Sequence, residues 1–217
     1  GARVTLLGRS AGPLQATVAR LGDAAGFVTA DVTDPAAVAA AVAAARARAG
    51  DIDILVNNAG QAASAPFLKT DAALWSRMLE VNLSGVLHLT QSVLPAMIAR
   101  RHGRIVNVAS TAGMVGYAYC TAYCAAKHGV IGLTRALALE LVQHDITVNA
   151  VCPGYTDTEM VRDAIATIRD KTGRSETEAL ASLVVHNPQR RLIRPEEVAN
   201  AVAWLCQPGT ESVTGQS

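Results

Sequence analysis

The sequence predicts an α/β fold in which helices cover both faces of a doubly wound parallel sheet. Short apolar runs rich in Val and Ile alternate with longer segments of helical periodicity along the 217 residues. Half of the residues are hydrophobic and 17% are charged, which is typical of a globular chain. Because strand and helix alternate, we expect a parallel sheet between two helical layers, in a single three-layer domain over residues 1–217.

Five runs are rich in β-branched residues and too short for helices, so they are predicted to be strands. These runs are 3–7, 27–30, 52–56, 104–108 and 146–151. Helices are predicted between and after them, over 13–21, 35–49, 71–101, 118–143 and 195–206. The triplet Thr33-Asp34-Pro35 supports the start of the second helix, since a capping side chain precedes a proline in the first turn.

After Gly154 the pattern changes to a polar, helical stretch that contains no strand signal. An insert of this kind can cover a site as a mobile lid, so residues 155–191 are predicted to be a substrate lid. An ordinary pair of surface helices is the alternative.

The totals argue against several classes of function. A net charge of +1 gives no sign of the basic surface that binds nucleic acid. No apolar run reaches the roughly 18 residues that span a bilayer, and no signal peptide is visible, so we expect a cytoplasmic protein with no membrane partner. No metal site is expected, because no pair of cysteines has metal-ligand spacing; the four are Cys120, Cys124, Cys152 and Cys206.

Tyr123 and Lys127 carry the strongest chemical signal. Four residues are about one helical turn, so the phenol and the ammonium group share a helix face. A phenol has a pKa of about 10, and a nearby cation lowers it, so such a tyrosine can exchange a proton with a reacting oxygen. Ser110 follows the fourth predicted strand, at the edge where parallel sheets place ligands, and can hydrogen-bond that oxygen. A surface Tyr–Lys pair near a capping serine is the alternative.

Two further polar features lie near the predicted sheet edge. Asn57-Asn58-Ala59-Gly60 ends the third predicted strand and indicates a tight turn there. Asn82 interrupts an apolar helix, where asparagine is unfavourable. A buried amide needs partners, so Asn82 either bridges backbone groups or serves the site, and its type alone does not decide between the two.

In order and spacing, these motifs resemble the short-chain dehydrogenase/reductase family along the whole chain. The matching residues are 57–60, Asn82, Ser110, the Tyr-x-x-x-Lys motif at 123–127, and Val151-Cys152-Pro153-Gly154 with Thr158. The resemblance implies a Rossmann-like fold and hydride transfer between a nicotinamide cofactor and a carbonyl or secondary alcohol. It also implies a homodimer or homotetramer assembled through the long helices.

The resemblance implies a role for each motif residue. Tyr123 would be the catalytic acid–base, Lys127 would lower its pKa and bind the nicotinamide ribose, and Ser110 would hold the substrate oxygen. Asn82 would support a water-linked proton relay to Lys127. The other cofactor contacts would be Asn57, Ala59 and Gly60 at the adenosine half, Asp31 and Val32 at the adenine, and Pro153, Gly154 and Thr158 at the carboxamide. Helix capping is the alternative for Asp31 and Thr158.

The end of the first predicted strand favours NADP(H), with NAD(H) possible. It offers Gly8, Arg9 and Ser10 but no acidic residue for ribose hydroxyls, and a guanidinium suits a 2′-phosphate. The alternative for Arg9 is an exposed loop arginine. The glycine fingerprint of such folds would precede residue 1, and the family continues past residue 217 into a last strand. We therefore expect these residues to be part of a longer polypeptide.

Residues 61–67, 110–119 and the lid are expected to wall an apolar substrate pocket. The lid region resembles that of 3-oxoacyl-thioester and polyketide reductases and 3-hydroxyacyl-CoA dehydrogenases, which implies an acyl thioester or a related ketone or alcohol as substrate. The arginines of this region are Arg174, Arg190, Arg191 and Arg194, and surface solvation is the alternative for them. Two other functions remain as alternatives: an epimerase or dehydratase of related fold, and a non-catalytic dinucleotide-binding regulator.

Overall fold

The structure, a computed structural model, describes residues 2–217; Gly1, the first residue of the expected domain, lies outside the described residues. Strands and helices alternate along the chain as the sequence predicts. The strands are β1 (Val4–Gly8), β2 (Ala25–Thr29), β3 (Ile54–Asn57), β4 (Gly103–Val108) and β5 (Ile146–Val151). The helices are α1 (Ala11–Leu21), α2 (Pro35–Ala49), α3 (Ala72–Leu79), α4 (Gly85–Arg100), α5 (Thr121–Leu141), α6 (Glu159–Thr172), α7 (Glu176–Val184) and α8 (Pro195–Leu205).

The strands pair in parallel as two ladders. β1 pairs with β2, with Val4 opposite Ala25, and the second ladder has the order β3-β4-β5. In that ladder Asn57 of β3 lies opposite Asn107 of β4. Because all pairs are parallel, the carboxyl ends of β3, β4 and β5 meet at one edge, where the predicted site lies.

One hydrophobic core joins the two ladders. It contains Val38 and Val42 of α2, Val93 of α4, and the strand residues Ile105 and Val148, of which Val38, Ile105 and Val148 are fully buried. Helices α2 and α4 pack against one another above it. The predicted doubly wound, single-domain α/β fold is confirmed.

The structure divides the helix that was predicted over 71–101. α3 ends at Leu79, one wide π-turn follows over Glu80–Ser84, and α4 begins at Gly85. Asn82 lies inside the π-turn, and such turns are frequent at functional sites. The predicted start of the next helix at 118 also shifts to Thr121, because Tyr119 has a left-handed backbone (φ +66°) that a helix cannot contain.

The lid residues form a helical pair with a small core of its own. α6 and α7 pack through Val161, Ile165, Ala179 and Leu183. A capping box between Ser175 and Glu178 begins α7. The helical content predicted for this stretch is confirmed, while its action as a lid stays a prediction.

Across residues 2–217, no helix combines the length and the apolar character that crossing a bilayer would require. Within the same residues, no group of three or more His, Cys, Asp or Glu side chains is arranged to hold a metal ion.

Candidate active site

Ser110 lies just past the carboxyl end of β4, where it caps a short 3-10 turn. Its Oγ accepts a hydrogen bond from the backbone N–H of Ala112 at 3.1 Å, and its hydroxyl lies close enough to Tyr123 to lower the pKa of that phenol. The neighbouring Thr111 donates its N–H to the carbonyl of Pro153 at 2.9 Å. The loop after β4 is therefore hydrogen-bonded to the segment after β5 and packs against α5.

Tyr123 stands in the first turn of α5 and is largely buried. Burial raises the pKa of its phenol, and the nearby Ser110 hydroxyl only partly offsets that rise. This differs from the expectation that Lys127 lowers the pKa of Tyr123. The difference arises because burial of the phenol, which the spacing of the two residues does not reveal, is the largest influence on its pKa.

Lys127 lies one turn along α5 and is 4% exposed. Burial lowers the pKa of its ammonium group to about 8. The Nζ lies 5.8 Å from the ring centroid of Tyr123 and donates one hydrogen bond, at 2.9 Å, to the carbonyl of Val108. An ammonium group has three donors, so two remain for groups that enter the cleft.

Asn82 is fully buried and bridges backbone groups. Its Oδ1 accepts from the N–H of Gln61 at 3.1 Å, while its Nδ2 donates to the carbonyls of Gln61 and Met78, each at 2.9 Å. A Cβ on Gly60 would lie 3.0 Å from Asn82 Oδ1 and 3.7 Å from Lys127 Nζ. Asn82, Gly60 and Lys127 are therefore close neighbours. Of the two alternatives weighed for Asn82, bridging of backbone groups describes the contacts that it makes.

The segment after β5 faces the same cleft. Gly154 packs so closely against Asn187 that a Cβ at this position would lie 2.3 Å from its Oδ1. Thr158 precedes α6 but makes no side-chain cap, since its Oγ1 donates to the carbonyl of Thr156 at 3.3 Å. Capping, the alternative weighed for Thr158, is not the role of its hydroxyl.

The predicted adenosine-side residues surround a small cavity between β3 and the π-turn. Val32, Asn57 and Ala59 line it together with Gly85. The Asn57 side chain is buried and donates to Asn107 Oδ1 at 2.8 Å and to Thr90 Oγ1 at 3.3 Å, while its own Oδ1 has no partner among the described residues. Much of this amide therefore holds the strands together.

Arg9 and Ser10 are exposed at the carboxyl end of β1. Arg9 is close enough to Asp31 to contribute to lowering the pKa of that carboxyl, although the hydrogen bonds from Thr33 contribute more. Asp31 Oδ1 accepts from the N–H of Thr33 at 2.9 Å and from its hydroxyl at 2.8 Å. The cap of α2 is Asp34, as the sequence predicts, so Asp31 stands before the helix rather than capping it.

The structure thus brings Ser110, Tyr123, Lys127 and Asn82 to one edge of the β3-β4-β5 ladder, and Arg9 lies at the end of the other ladder. Sequence reasoning missed Tyr155 and Asn187 as site-side residues. Tyr155 was visible only as the residue after Gly154. Asn187 had no local signal, because its hydrogen-bond partner Tyr155 lies 32 residues away.

The arginines near the lid are mostly engaged within the protein. Arg191 forms a two-pronged ion pair with Glu197, at 2.8 and 2.7 Å, and Glu197 also accepts from the backbone N–H of Arg194. Arg190 donates to the carbonyl of Val185 at 3.0 Å. Arg174 is exposed.

Comparison with known proteins agrees with this geometry. The family model described as short chain dehydrogenase matches residues 1–169. A protein of Streptomyces coelicolor described as a ketoacyl reductase is 40% identical over 222 residues, which cover 100% of this chain and 85% of that protein.

Two solved structures have the same fold. The crystal structure of a variant of actinorhodin polyketide ketoreductase with NADPH has a TM-score of 0.94 and 41% identity, over 99% of this chain and 84% of that one. Levodione reductase has a TM-score of 0.91 and 31% identity, over 100% of this chain and 85% of that one.

Proposed function

Since the chain belongs to the short-chain dehydrogenase/reductase family, it is an oxidoreductase, and we propose that it transfers hydride between NADP(H) and a carbonyl or secondary alcohol. The observation that carries the proposal is the placement of Ser110 beside Tyr123 at the carboxyl edge of the sheet, with the buried Lys127 one turn behind. Two hydroxyls that meet at the carboxyl edge of a parallel sheet can both reach one substrate oxygen.

The described residues fit a nicotinamide dinucleotide. Lys127 is buried yet uses one of its three donors, and ribose hydroxyls would accept the other two. Tyr123 borders the same space. Gly60 leaves room beside Asn82 and Lys127, and the cavity that Val32, Asn57 and Ala59 line lies toward the proposed adenine end. Pro153, Gly154 and Thr158 would hold the carboxamide, and Asp31 the adenine amino group. When bound, the reduced cofactor supplies the hydride.

The chain's own residues would manage the proton. The raised pKa of Tyr123 keeps the phenol protonated at neutral pH, which is the state that can donate to a carbonyl oxygen as it becomes an alcohol. Ser110 would donate a hydrogen bond to the same oxygen and hold it at the phenol. Lys127 and Asn82 would support return of the proton from water.

Arg9 and Ser10 support NADP(H) over NAD(H). Both are exposed, and no acidic residue stands at their position. A guanidinium binds a 2′-phosphate in two-pronged fashion, whereas NAD(H) offers only hydroxyls there. The solved neighbour that contains NADPH is consistent with this assignment.

For the substrate, we propose a 3-oxoacyl thioester or a related ketone. The name of the Streptomyces relative and that of the polyketide ketoreductase support this class. The wall is largely apolar, since Met114 and Val115 are about half exposed beside the cleft. Arg190 and Arg191 are engaged within the chain, and Arg194 is 3.5 Å from Glu197, which leaves Arg174 as the one of these four arginines available to the thioester end of a substrate.

We also propose a homodimer or homotetramer. Leu87 of α4 and Leu139 of α5 are exposed apolar residues on the two long helices, Leu139 by 81%. Sedimentation velocity would measure the assembly, and a monomer at micromolar concentration would contradict it. A cytoplasmic location stays a prediction.

The function is tested by following NADPH oxidation at 340 nm with a panel of 3-oxoesters, 3-oxoacyl thioesters and cyclic ketones. We expect turnover with at least one class. Tight NADPH binding with no turnover across the panel would favour the non-catalytic regulator. Conversion of a substrate without net change in NADPH would favour the epimerase or dehydratase.

A further inference from the structure

We propose that Asn187 is a positioning residue that holds Tyr155 as a wall of the substrate pocket and thereby limits the size of ketone that reaches Tyr123. The inference rests on the proposed reductase function. It assigns a specificity role to a contact between the two ends of the lid, and neither Tyr155 nor Asn187 belongs to the catalytic set.

Asn187 is 1% exposed and grips one residue at two points. Its Oδ1 accepts from the N–H of Tyr155 at 3.0 Å, and its Nδ2 donates to the carbonyl of Tyr155 at 2.8 Å. The Nδ2 also donates to the carbonyl of Arg191 at 2.8 Å. An amide that pairs with both polar groups of a single residue acts as a strand partner would, so it fixes the backbone orientation at 155.

Gly154 makes this close approach possible. A side chain at 154 would begin 2.3 Å from Asn187 Oδ1, which is far inside van der Waals contact. The glycine is thus required for Asn187 to reach the Tyr155 backbone, independently of any contact that Gly154 makes with a cofactor.

The same arrangement occurs at the opposite wall of the cleft. Asn82 accepts from the N–H of Gln61 and donates to its carbonyl, at 3.1 and 2.9 Å. Two buried asparagines, one in the π-turn and one in the turn after α7, therefore each clamp one loop residue at the carboxyl edge of the sheet. Asn82 lies beside Lys127, whereas Asn187 acts on the side where the lid begins.

The clamp directs the Tyr155 ring toward the catalytic residues. Its centroid lies 6.0 Å from that of Tyr117 in an edge-on contact, and the Tyr117 hydroxyl lies 3.0 Å from Thr111 Oγ1, next to Ser110. The ring of His186, the residue before Asn187, lies 5.3 Å from that of Tyr117. Burial raises the pKa of Tyr155 to about 12, and proximity to Tyr123 adds to that rise.

A Tyr155 ring held in this way would restrict the width of the substrate pocket and would take no part in the proton transfer. Tyr155 has neighbours on the catalytic loop and the lid, but it makes no hydrogen bond to Ser110 or Lys127 among the described residues. Loss of the clamp would let the ring move and admit a bulkier substituent, while Tyr123 and Ser110 keep their places. The expected signature is a change in the ratio of specificities, not a uniform loss of activity.

The test compares kcat/KM for ethyl acetoacetate and for ethyl benzoylacetate, which differ by methyl against phenyl beside the ketone. Tyr155→Ala should raise the ratio of large to small by about tenfold, and Asn187→Ala by a smaller factor in the same direction. The double variant should match Tyr155→Ala alone, because Asn187 acts through Tyr155. Asn187→Asp keeps the acceptor for the Tyr155 N–H but loses the donor, so its ratio should lie between those of the wild type and Asn187→Ala.

Asn200→Ala, at an exposed asparagine of α8, is the matched control and should leave the ratio unchanged. Equal loss for both esters in Asn187→Ala, or a full effect of Asn187→Ala in the Tyr155→Ala background, would overturn the proposal. Hydrogen exchange at the Tyr155 amide provides a readout that needs no turnover. The exchange rate of this amide should increase by tenfold or more in Asn187→Ala. An unchanged rate would contradict the proposed hydrogen bonding of Tyr155 by Asn187, whether or not the wild type reduces a ketone.

Discussion

The catalytic edge of the β3-β4-β5 ladder and the lid over residues 155–191 are held in place by different kinds of contact. β4 and β5 are buried along nearly their whole length, and α5 packs directly on β5. The lid helices instead share a small separate cluster, and a buried asparagine near the end of the lid, Asn187, is hydrogen-bonded to its first residue, Tyr155. On our proposals, the residues that need fixed distances for chemistry lie on the main core, and the residues that select the substrate lie in a region with a smaller core of its own.

Substitution of Ser110 is expected to have the largest effect among the tests of this comparison. Ser110→Ala should lower kcat/KM by about 10²–10³, because one preorganised donor to the reacting oxygen is lost. Ser182→Ala, which removes a lid hydroxyl bonded to the carbonyl of Ala179, is the matched control and should change kcat/KM by less than about threefold. Equal effects of the two substitutions would remove the distinction between the regions.

Burial of Lys127 gives a pH-dependent test. The pKa of its ammonium group is about 8 in the folded chain and 10.5 ordinarily, so between these values the unfolded chain binds more protons. The cost of burying the charge is complete below pH 8, on the order of 3 kcal/mol, and disappears as the pH rises toward 10.5. Lys127→Met lacks this cost. In urea unfolding, its stability relative to the wild type should therefore fall as the pH is raised from 7 to 10, and a pH-independent difference would contradict the burial.

The exposed loop after β1 allows a similar test of cofactor binding. Arg9→Asp should shift the ratio of kcat/KM for NADPH over NADH by about tenfold or more toward NADH, since a repulsive charge replaces a phosphate partner. Maximal turnover with saturating cofactor should change little. Arg20→Asp, at the last turn of α1, is the control for charge alone, and an unchanged ratio in Arg9→Asp would show that the phosphate is bound elsewhere.

The smallest expected effects come from removing one methylene group from the main core and, separately, one from the small core between α6 and α7. Ile105→Val removes it beneath the catalytic edge and should lower the free energy of global unfolding by about 1 kcal/mol. Ile165→Val removes it between α6 and α7 and should instead quicken hydrogen exchange within the lid, with little change in global unfolding. Equal shifts in the global transition would show that the lid unfolds together with the sheet.

Much of the fold followed from local signals in the sequence. The strand predicted at 146–151 and the helix predicted at 35–49 have those bounds in the structure, because a β-branched run defines the first, and Asp34, Pro35 and Gly50 mark the ends of the second. Tyr123 and Lys127 could be paired from spacing alone. Ser110 could be placed beside them because parallel strands end at one edge.

The parts that were missed depend on contacts between distant residues. The π-turn at Asn82 forms around an amide that pairs with Gln61, 21 residues earlier, and periodicity carries no sign of it. The pKa of Tyr123 was expected to fall, since spacing shows a neighbouring cation but not the burial that affects both groups. Asn187 is an ordinary helix-end residue in the sequence, and only folding places it against Gly154.

The central claim is that the Tyr123 phenol exchanges the proton with the substrate oxygen. It is tested most directly by Tyr123→Phe, with NADPH oxidation and NADPH binding measured on the same preparation. The account predicts a fall in kcat of about 10²–10⁴ with the dissociation constant of NADPH nearly unchanged, because only the ionisable oxygen is lost. Turnover within tenfold of the wild type would contradict it.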